Sequence, residues 1–313
     1  MFARIQKGLS TNLGHRYERV IAVLKEHWFT YLLFLPTLLY LVFIVWAPFI
    51  RGIWMSLHIW PAFGVPEWDG IQNYTYLLGW DPFFTSVRAT AIYMTMTILQ
   101  LILALGASLA ARNLSRFDNI VDGIFLIPYT MPPVVTGTVW LYILHPNSGP
   151  LMGWLLDSGI LSEPIFWRTD GTLSISVLTL VGAWTFWQLG YLIFAASISG
   201  IPDEHYETAR VYGASRIQQF LKVTMPHLKG AFIIVVSLRI VRNLIKVSQP
   251  LQMTQGGPGF DTSVLGILLY RFTLNQRAYG LAFAVGFIMF LLAIGATFLF
   301  IREFRRGQME ASA

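Results

Sequence analysis

Long apolar stretches alternate with short polar connections along the chain. Six stretches have roughly the 20 residues that a helix needs to cross about 30 Å of hydrocarbon. None shows the strict alternation of a membrane β-strand. The pattern therefore predicts an all-α, polytopic membrane protein with six transmembrane helices. The predicted spans lie near residues 29–50, 86–111, 120–144, 173–199, 231–252 and 280–301.

The distribution of basic residues predicts the orientation of these spans, because cytoplasmic loops are enriched in Lys and Arg. The basic residues on one side lie in segments 1–28, 112–119, 201–229 and 302–313. Those on the other side are fewer: Arg51, Arg168, Arg271 and Arg277. We therefore expect cytoplasmic tails at 1–28 and 303–313, a transmembrane domain at 29–302, and a cytoplasmic position for segment 201–229.

Composition agrees with a membrane protein and excludes several other classes. Of 313 residues, 55% are hydrophobic and 12% are charged, which is unusual for a soluble domain. The net charge of +6 is scattered over loops, so no nucleic-acid partner is predicted. The chain has no cysteine, which excludes disulfides and Cys-ligated metals, and it lacks a glycine-rich phosphate loop and a closely spaced His pair. Its energy source must therefore be a partner or a gradient.

Segment 201–229 is polar, yet it carries strong helix signals. Pro202 and the acidic residues after it favour the start of a short helix, and Gly213 suits the left-handed residue that ends one. Ser215 and Gln218 have the spacing of a capping box for a second helix, expected to end near Val223, before Pro226. We expect these two helices to form an elbow. Its predicted apolar contacts are Tyr206, Ala209, Val211, Ile217, Phe220 and Leu221.

The elbow resembles the cytoplasmic coupling loop of permease subunits in binding-protein-dependent ABC importers. The residues that carry the resemblance are Glu207, Ala209, Gly213, Ala214, Ser215, Phe220, Val223 and Pro226, after "SISGIP". The sequence departs from the usual pattern at Thr208, where the family has Ala, and at Tyr212, where Asp is common. Segments 69–84, 126–156 and 253–287 are also similar to carbohydrate-type permeases of the maltose-transporter-like branch.

The resemblance implies a multi-pass subunit of a bacterial or archaeal cytoplasmic membrane, with no catalytic, metal or cofactor site of its own. It implies four kinds of partner: a second homologous permease, two ATPase subunits that use ATP and Mg²⁺, an extracytoplasmic solute-binding protein, and the lipid bilayer. Glu207, Ala209, Gly213, Ala214 and Ser215 would contact an ATPase subunit. The loop at Gly256, Gly257 and Pro258 would face the binding protein.

The fifth predicted span carries a polar stripe. Arg239, Arg242 and Lys246 follow helical spacing and lie within about 60° of one another. Asn243, Gln249 and Pro250 widen the stripe to about 120°. A charge that faces lipid is costly, so the stripe should face protein or water. Arg239 could snorkel while the others pair with acids of neighbouring chains, or the stripe could contact solute. The resemblance favours the second interpretation.

A second candidate face lies in the fourth span, at Trp184, Trp187, Gln188 and Tyr191. Aromatic rings with nearby hydrogen-bonding groups suit a sugar ring, although membrane tryptophans commonly pack or lie at the interface. The basic stripe would suit an anionic sugar through charge-assisted hydrogen bonds. A neutral oligosaccharide stays open, since acids of the partner permease could neutralise the stripe.

Two other functional classes are weighed against an importer permease. A transporter driven by an ion gradient should show inverted repeats, broken helices and intramembrane carboxylates, and the sequence shows no sign of these. A membrane-embedded enzyme should show paired carboxylates or a nucleophile beside a base, and neither pattern is present. The alternative that remains is an ion-gradient-driven secondary transporter.

Overall fold

The structure, a computed structural model, describes residues 25–60, 64–112 and 118–312, and these are mostly helical. The chain divides after Met55 into two units. The described part of the first unit is helical, with α1 (Trp28–Tyr40), a π-helical stretch (Leu41–Trp46) and most of α2 (Ala47–Ser56). The basic residues Arg4, Lys7, Arg16, Arg19 and Arg116 lie outside the described residues.

The second unit starts with an antiparallel ribbon of β1 (His58–Ile59) and β2 (Glu67–Trp68). In the described part of this unit, eight helices precede the polar segment: α3 (Gln72–Leu78), α4 (Asp81–Met94), α5 (Met96–Ala111), α6 (Asp118–Thr130), α7 (Pro133–Ile143), α8 (Pro150–Asp157), α9 (Gly171–Phe186) and α10 (Gln188–Ser199). Seven follow: α11 (Asp203–Val211), α12 (Arg216–Gln219), α13 (Met225–His227), α14 (Lys229–Leu244), α15 (Ser248–Thr254), α16 (Leu265–Tyr270) and α17 (Tyr279–Ser312). Two further π-helical stretches are Phe220–Thr224 and Arg271–Asn275.

Several of these helices have the length and composition of membrane spans. Three described runs can cross a bilayer alone: Trp28–Ser56, Asp81–Ala111 and Tyr279–Phe304. Three bent pairs also pass that test: α6 with α7 at 98°, α9 with α10 at 43°, and the run Arg216–His227 with α14 at 68°. The described residues therefore contain three spanning helices, or up to six if each bent pair forms one span.

The sequence shows no sign of broken helices, but the structure contains them. Pro132 and Pro133 follow each other between α6 and α7, and a proline disfavours helical geometry in the residue before it. Pro132 accordingly has extended geometry, with φ −56° and ψ 139°. The predicted fifth span, 231–252, is interrupted as well, because α14 ends at Leu244 and α15 begins only at Ser248.

Close helix contacts form the core of the second unit. A Cβ at Gly182 would lie 2.7 Å from the sulfur of Met96, and one at Gly190 would lie 3.0 Å from the Cβ of Ala104. Small residues of this kind let helices in a membrane approach closely. These contacts pack α9 and α10 against α5 and so position the helices around the polar residues described below.

The local structure predicted for segment 201–229 is largely confirmed. Gly213 has φ +74° and ends α11 in a Schellman motif, in which Gly213 N donates to Arg210 O and Ala214 N donates to Ala209 O, both at 2.9 Å. The capping box is present: Gln218 N donates to Ser215 Oγ at 3.3 Å, and Ser215 N donates to Gln218 Oε1 at 2.8 Å.

Two details of that segment were predicted wrongly. The second helix does not stop before Pro226 but runs from Arg216 to His227. The π-helical stretch Phe220–Thr224 lies just before the proline, so the hydrogen-bond pattern of the helix changes where a proline would interrupt it. The predicted apolar contacts are also divided: Tyr206 is 6% exposed, whereas Val211 and Ile217 are 86% and 72% exposed.

Candidate functional site

The polar stripe predicted on the fifth span is divided in the structure. Arg239, Asn243 and Gln249 are at most 2% exposed, whereas Arg242 is exposed and Lys246 is partly buried. The helical spacing was extrapolated through residues 245–247, where the chain leaves α14. Arg239 and Lys246 therefore do not share a helix, and the stripe forms a buried group and a group beside a cavity.

The cavity beside Arg242 has a volume of about 380 Å³. Its lining includes Pro133, Arg242, Ile245, Lys246, Ser248 and Gln249. It lies where two helical runs are interrupted, between α6 and α7 and between α14 and α15. Transporters commonly bind their substrates at such interruptions.

Lys246 and Gln249 are held in place by neighbours on α9. The Lys246 ammonium lies 2.8 Å from the centre of the Phe186 ring, a cation–π contact. Gln249 donates from Nε2 to Thr185 Oγ1 at 3.0 Å. Arg242 has no hydrogen bond or ion pair with another described residue that would neutralise it. The cavity therefore presents two cations and an amide, and only the arginine is unrestrained.

Asn243 belongs to a buried network instead. Its Nδ2 donates to Thr97 Oγ1 and to Gln100 Oε1, both at 3.0 Å, and Gln100 Nε2 donates to Gly182 O at 3.2 Å. This network connects α14 to α5 and α9. Asn243 is 1% exposed, so its side chain ties helices together in this conformation and does not line the cavity.

Arg239 is the largest fully buried side chain in the described part of the chain. Its Nη2 has no hydrogen-bond partner among the described residues. A snorkelling arginine would keep its head group in water, and the 2% exposure of Arg239 excludes that interpretation.

The candidate face on the fourth span lies at the bend between α9 and α10. Tyr191 and Gln188 are buried; the Tyr191 hydroxyl donates to Asp122, and Gln188 Nε2 donates to Trp184 O at 3.1 Å. Trp187 is partly buried against Phe125. Trp184 is 39% exposed and packs edge-on against Trp140. None of the four lines the cavity beside Arg242.

The Gly256–Pro258 loop has a well-defined scaffold. Gly256 has φ +86°, and a Cβ there would lie 2.8 Å from Arg271 Nη2. Arg271 Nη2 donates to Gln255 O at 2.6 Å, and its guanidinium lies 4.9 Å from the Phe260 ring centre. Partial burial lowers the pKa of Arg271, and these contacts offset that desolvation cost. Arg271, at the start of the π-helical stretch Arg271–Asn275, therefore positions the loop.

The predicted coupling residues of the elbow differ in exposure. Glu207, Gly213 and Ser215 are exposed, whereas Ala209 packs on the small cluster of Ile201, Tyr206 and Val223 and Ala214 is partly buried. The same segment also exposes four apolar side chains: Val211, Tyr212, Ile217 and Leu221. Such a patch is typical of an interaction site.

Sequence reasoning missed two features of these sites. One is the contribution of Pro133 to the cavity, for which the consecutive prolines in "TMPPVV" were an available signal. The other is a second basic cavity near Arg112, Arg210 and Arg216. Arg112 lies about a hundred residues before Arg210 and Arg216 along the chain, so no local pattern could have grouped it with them.

Comparison with known proteins confirms the predicted resemblance. Residues 102–302 match the family described as the binding-protein-dependent transport system inner membrane component. The trehalose/maltose transport system permease protein MalF of Thermococcus litoralis is 27% identical over 88% of this chain and 94% of its own length. The sulfoquinovosyl glycerol transport system permease protein SmoG of Agrobacterium fabrum is 26% identical over 92% of this chain and 91% of its own length.

A solved structure shares the fold. It is a bacterial alginate ABC transporter in complex with an alginate pentasaccharide-bound periplasmic protein. The similarity has a TM-score of 0.73 at 18% identity and covers 90% of this chain and 95% of that one. The helical arrangement described above is therefore an ABC permease fold.

Proposed function

Because the chain belongs to the family of inner-membrane components of binding-protein-dependent transport systems, we propose that it is a permease subunit of an ATP-driven importer for an acidic carbohydrate. Family membership makes it a sugar ABC transporter permease and a transport subunit, not an enzyme. Broken helices also occur in gradient-driven transporters, so the family, and not the bends, decides between these classes.

The proposed complex contains a second homologous permease, two cytoplasmic ATPase subunits that bind ATP and Mg²⁺, and an extracytoplasmic binding protein. The periplasmic protein in the alginate transporter structure supports the last of these partners. The chain crosses the cytoplasmic membrane six times with both termini inside, and segment 201–229 is the coupling loop. Closure of the ATPase subunits moves this loop and switches access to the pathway.

The cavity beside Arg242 is the observation that carries the assignment of an acidic solute. Two cations and one amide side chain line a volume of about 380 Å³, and no carboxylate among its lining residues balances them. A neutral sugar would bring no counter-charge to Arg242 or to Lys246, whose described partner is the Phe186 ring, and an uncompensated charge is costly away from water. A carboxylate or sulfonate would accept charge-assisted hydrogen bonds from both. Arg242 can bind such a group with two parallel bonds.

The related proteins are consistent with this solute class but do not require it. SmoG is named for sulfoquinovosyl glycerol, which carries a sulfonate, and a transporter of the same fold imports alginate, an acidic polysaccharide. MalF of Thermococcus litoralis is named for neutral disaccharides. The basic cavity of this chain supports the acidic class over the neutral one.

Uptake assays with two single variants test the proposal. In cells that express the complete importer, Arg242→Gln and Lys246→Gln should each reduce uptake of a labelled uronate oligosaccharide by roughly tenfold, about the effect of one charge-assisted contact. Arg168→Gln removes one exposed charge outside the cavity and is the matched control. Its uptake should stay at the wild-type rate.

Co-purification with the ATPase subunit should be unchanged in all three variants. Wild-type uptake of the acid by both cavity variants would contradict the assigned solute class while leaving the importer assignment intact. Failure of the wild-type chain to co-purify with any ATPase would contradict the importer itself.

A further inference from the structure

A second basic cavity, of about 500 Å³, lies where the end of α5 meets segment 201–229. Its lining includes the apolar side chains Leu109 and Phe220 and the guanidinium groups of Arg112, Arg210 and Arg216. A volume of this size can hold a small organic group. Among the described residues these three arginines form one ion pair, between Arg112 and Asp203 at 3.3 Å. The cavity therefore has an excess of positive charge.

Tyr206 organises two of the arginines. The Arg112 guanidinium lies 3.8 Å from the centre of the Tyr206 ring, and Arg210 Nε donates to Tyr206 O at 3.3 Å. Tyr206 is itself buried and hydrogen-bonded through its hydroxyl to Thr224 Oγ1 at 2.9 Å. Because Arg210 uses only Nε in this contact, its two terminal nitrogens remain available for a ligand. Arg112 and Arg210 are thus held in place before an anion binds.

The position of the cavity relates it to the membrane surface. Leu109 lies in the last turn of α5, which ends at Ala111 and forms the end of the membrane-length run Asp81–Ala111, and Arg112 is its C-cap. Arginines immediately beyond a membrane span lie at the depth of the lipid head groups. Guanidinium groups match phosphate geometry, and Leu109 and Phe220 offer apolar contact to the glycerol and upper acyl chain.

We propose that this cavity binds the phosphate of an anionic phospholipid of the leaflet that faces segment 201–229. The proposal rests on the membrane topology proposed above, in which that leaflet is cytoplasmic. A bound head group would connect the end of α5 to α11 and α12. It would thereby hold the elbow against the membrane surface.

An acidic side chain of an ATPase subunit is the competing occupant. The elbow already offers a separate surface to such a partner, because Val211, Tyr212 and Ile217 are 72–86% exposed and do not line the cavity. The end of α5, a helix of membrane-spanning length, also lines the cavity. The lining combines cations with apolar groups, which suits the head group and glycerol of a phospholipid. These observations favour the lipid.

Lipid titration of the purified full chain in an uncharged detergent tests the proposal without solute or ATPase. Short-chain phosphatidylglycerol should bind saturably, as read by native mass spectrometry and by a rise in melting temperature. Phosphatidylcholine should not. The double variant Arg210→Gln/Arg216→Gln should weaken phosphatidylglycerol binding by at least about tenfold, since it removes two basic residues that attract the anionic head group.

Lys222→Gln is the matched control, because Lys222 is an exposed cation of the same segment that does not line the cavity. It should bind the lipid like the wild type. If the control lost as much affinity for phosphatidylglycerol as the double variant, binding would depend on surface charge in general and not on the cavity. That result would overturn the proposal. So would binding of inorganic phosphate with the same affinity as the lipid, or unchanged lipid binding by a double variant that no longer retains an ATPase subunit. An unchanged melting temperature without lipid shows that both variants are folded.

Discussion

Segments 201–229 and 239–249 both place polar residues in an apolar chain, and they differ in what fixes their conformation. In the first, neighbours along the chain determine the structure: Gly213 ends α11, and Ser215 and Gln218 cap the next helix. In the second, residues from distant helices do so, through Thr97 and Gln100 at Asn243 and through Phe186 at Lys246. A polar segment held locally can serve as a moving surface, whereas one held by three helices belongs to the packed core.

Replacement of Gly213 should have the largest effect on transport. Gly213 has φ +74°, and a Cβ there would meet no atom within 4 Å. Any cost within this chain is therefore conformational, about 1–2 kcal/mol for an ordinary side chain in the left-handed region. Gly213→Trp adds a bulky ring to the exposed surface proposed for the ATPase. We expect uptake to fall by more than about tenfold while ATP hydrolysis continues uncoupled, in parallel assays on the same membranes.

Gly213→Asn is the control, because asparagine tolerates the left-handed region. It should transport nearly as well as the wild type. Normal transport by Gly213→Trp would show that this surface is not a docking site.

Asn243→Leu should have the next largest effect, and on stability. It removes the donors to Thr97 and Gln100 and leaves both acceptors buried, at a cost of about 1–2 kcal/mol in the free energy of unfolding. The reduction can be measured by thermal unfolding of the whole chain in detergent. Arg242→Gln on the same helix is exposed and should stay within about 0.5 kcal/mol of the wild type. If both variants lowered the free energy of unfolding by the same amount, the distinction between the buried and the cavity-facing residues would be wrong.

The contrast between the segments also explains how far the sequence could predict the structure. The capping box and the glycine at the end of α11 were predictable because each signal acts within four residues. The three described runs long enough to span alone, Trp28–Ser56, Asp81–Ala111 and Tyr279–Phe304, were predictable from apolar length. The stripe of Arg239, Arg242 and Lys246 was predicted as one face because helical spacing was extended past Leu244. The sequence "LIKVSQP" contains no signal for the break between α14 and α15 that is as strong as the consecutive prolines between α6 and α7.

Contacts between residues far apart in the sequence could not be predicted either. Arg112 lies nearly a hundred residues from Arg210, and Pro133 lies as far from Arg242, yet each pair shares a cavity. Their proximity depends on how α5, α7, α11 and α14 pack. Packing of that kind follows from contacts such as Gly182 against Met96, which no periodicity reveals.

Ser215→Ala should have the smallest effect, and a strictly local one. The change removes the Oγ that accepts from Gln218 N but leaves the bond from Ser215 N to Gln218 Oε1, so only half of the capping box is lost. The cost of such a cap is typically about 1 kcal/mol, which corresponds to a roughly fivefold faster amide exchange where opening is local. Hydrogen–deuterium exchange should show this increase in peptides covering residues 216–220, with no change in the melting temperature of the whole chain.

Ser215→Asp keeps an acceptor at the helix start and should restore protection. If Ser215→Ala instead lowered the melting temperature as much as Asn243→Leu, segment 201–229 would be part of the cooperative core, and the difference between the two segments would not hold.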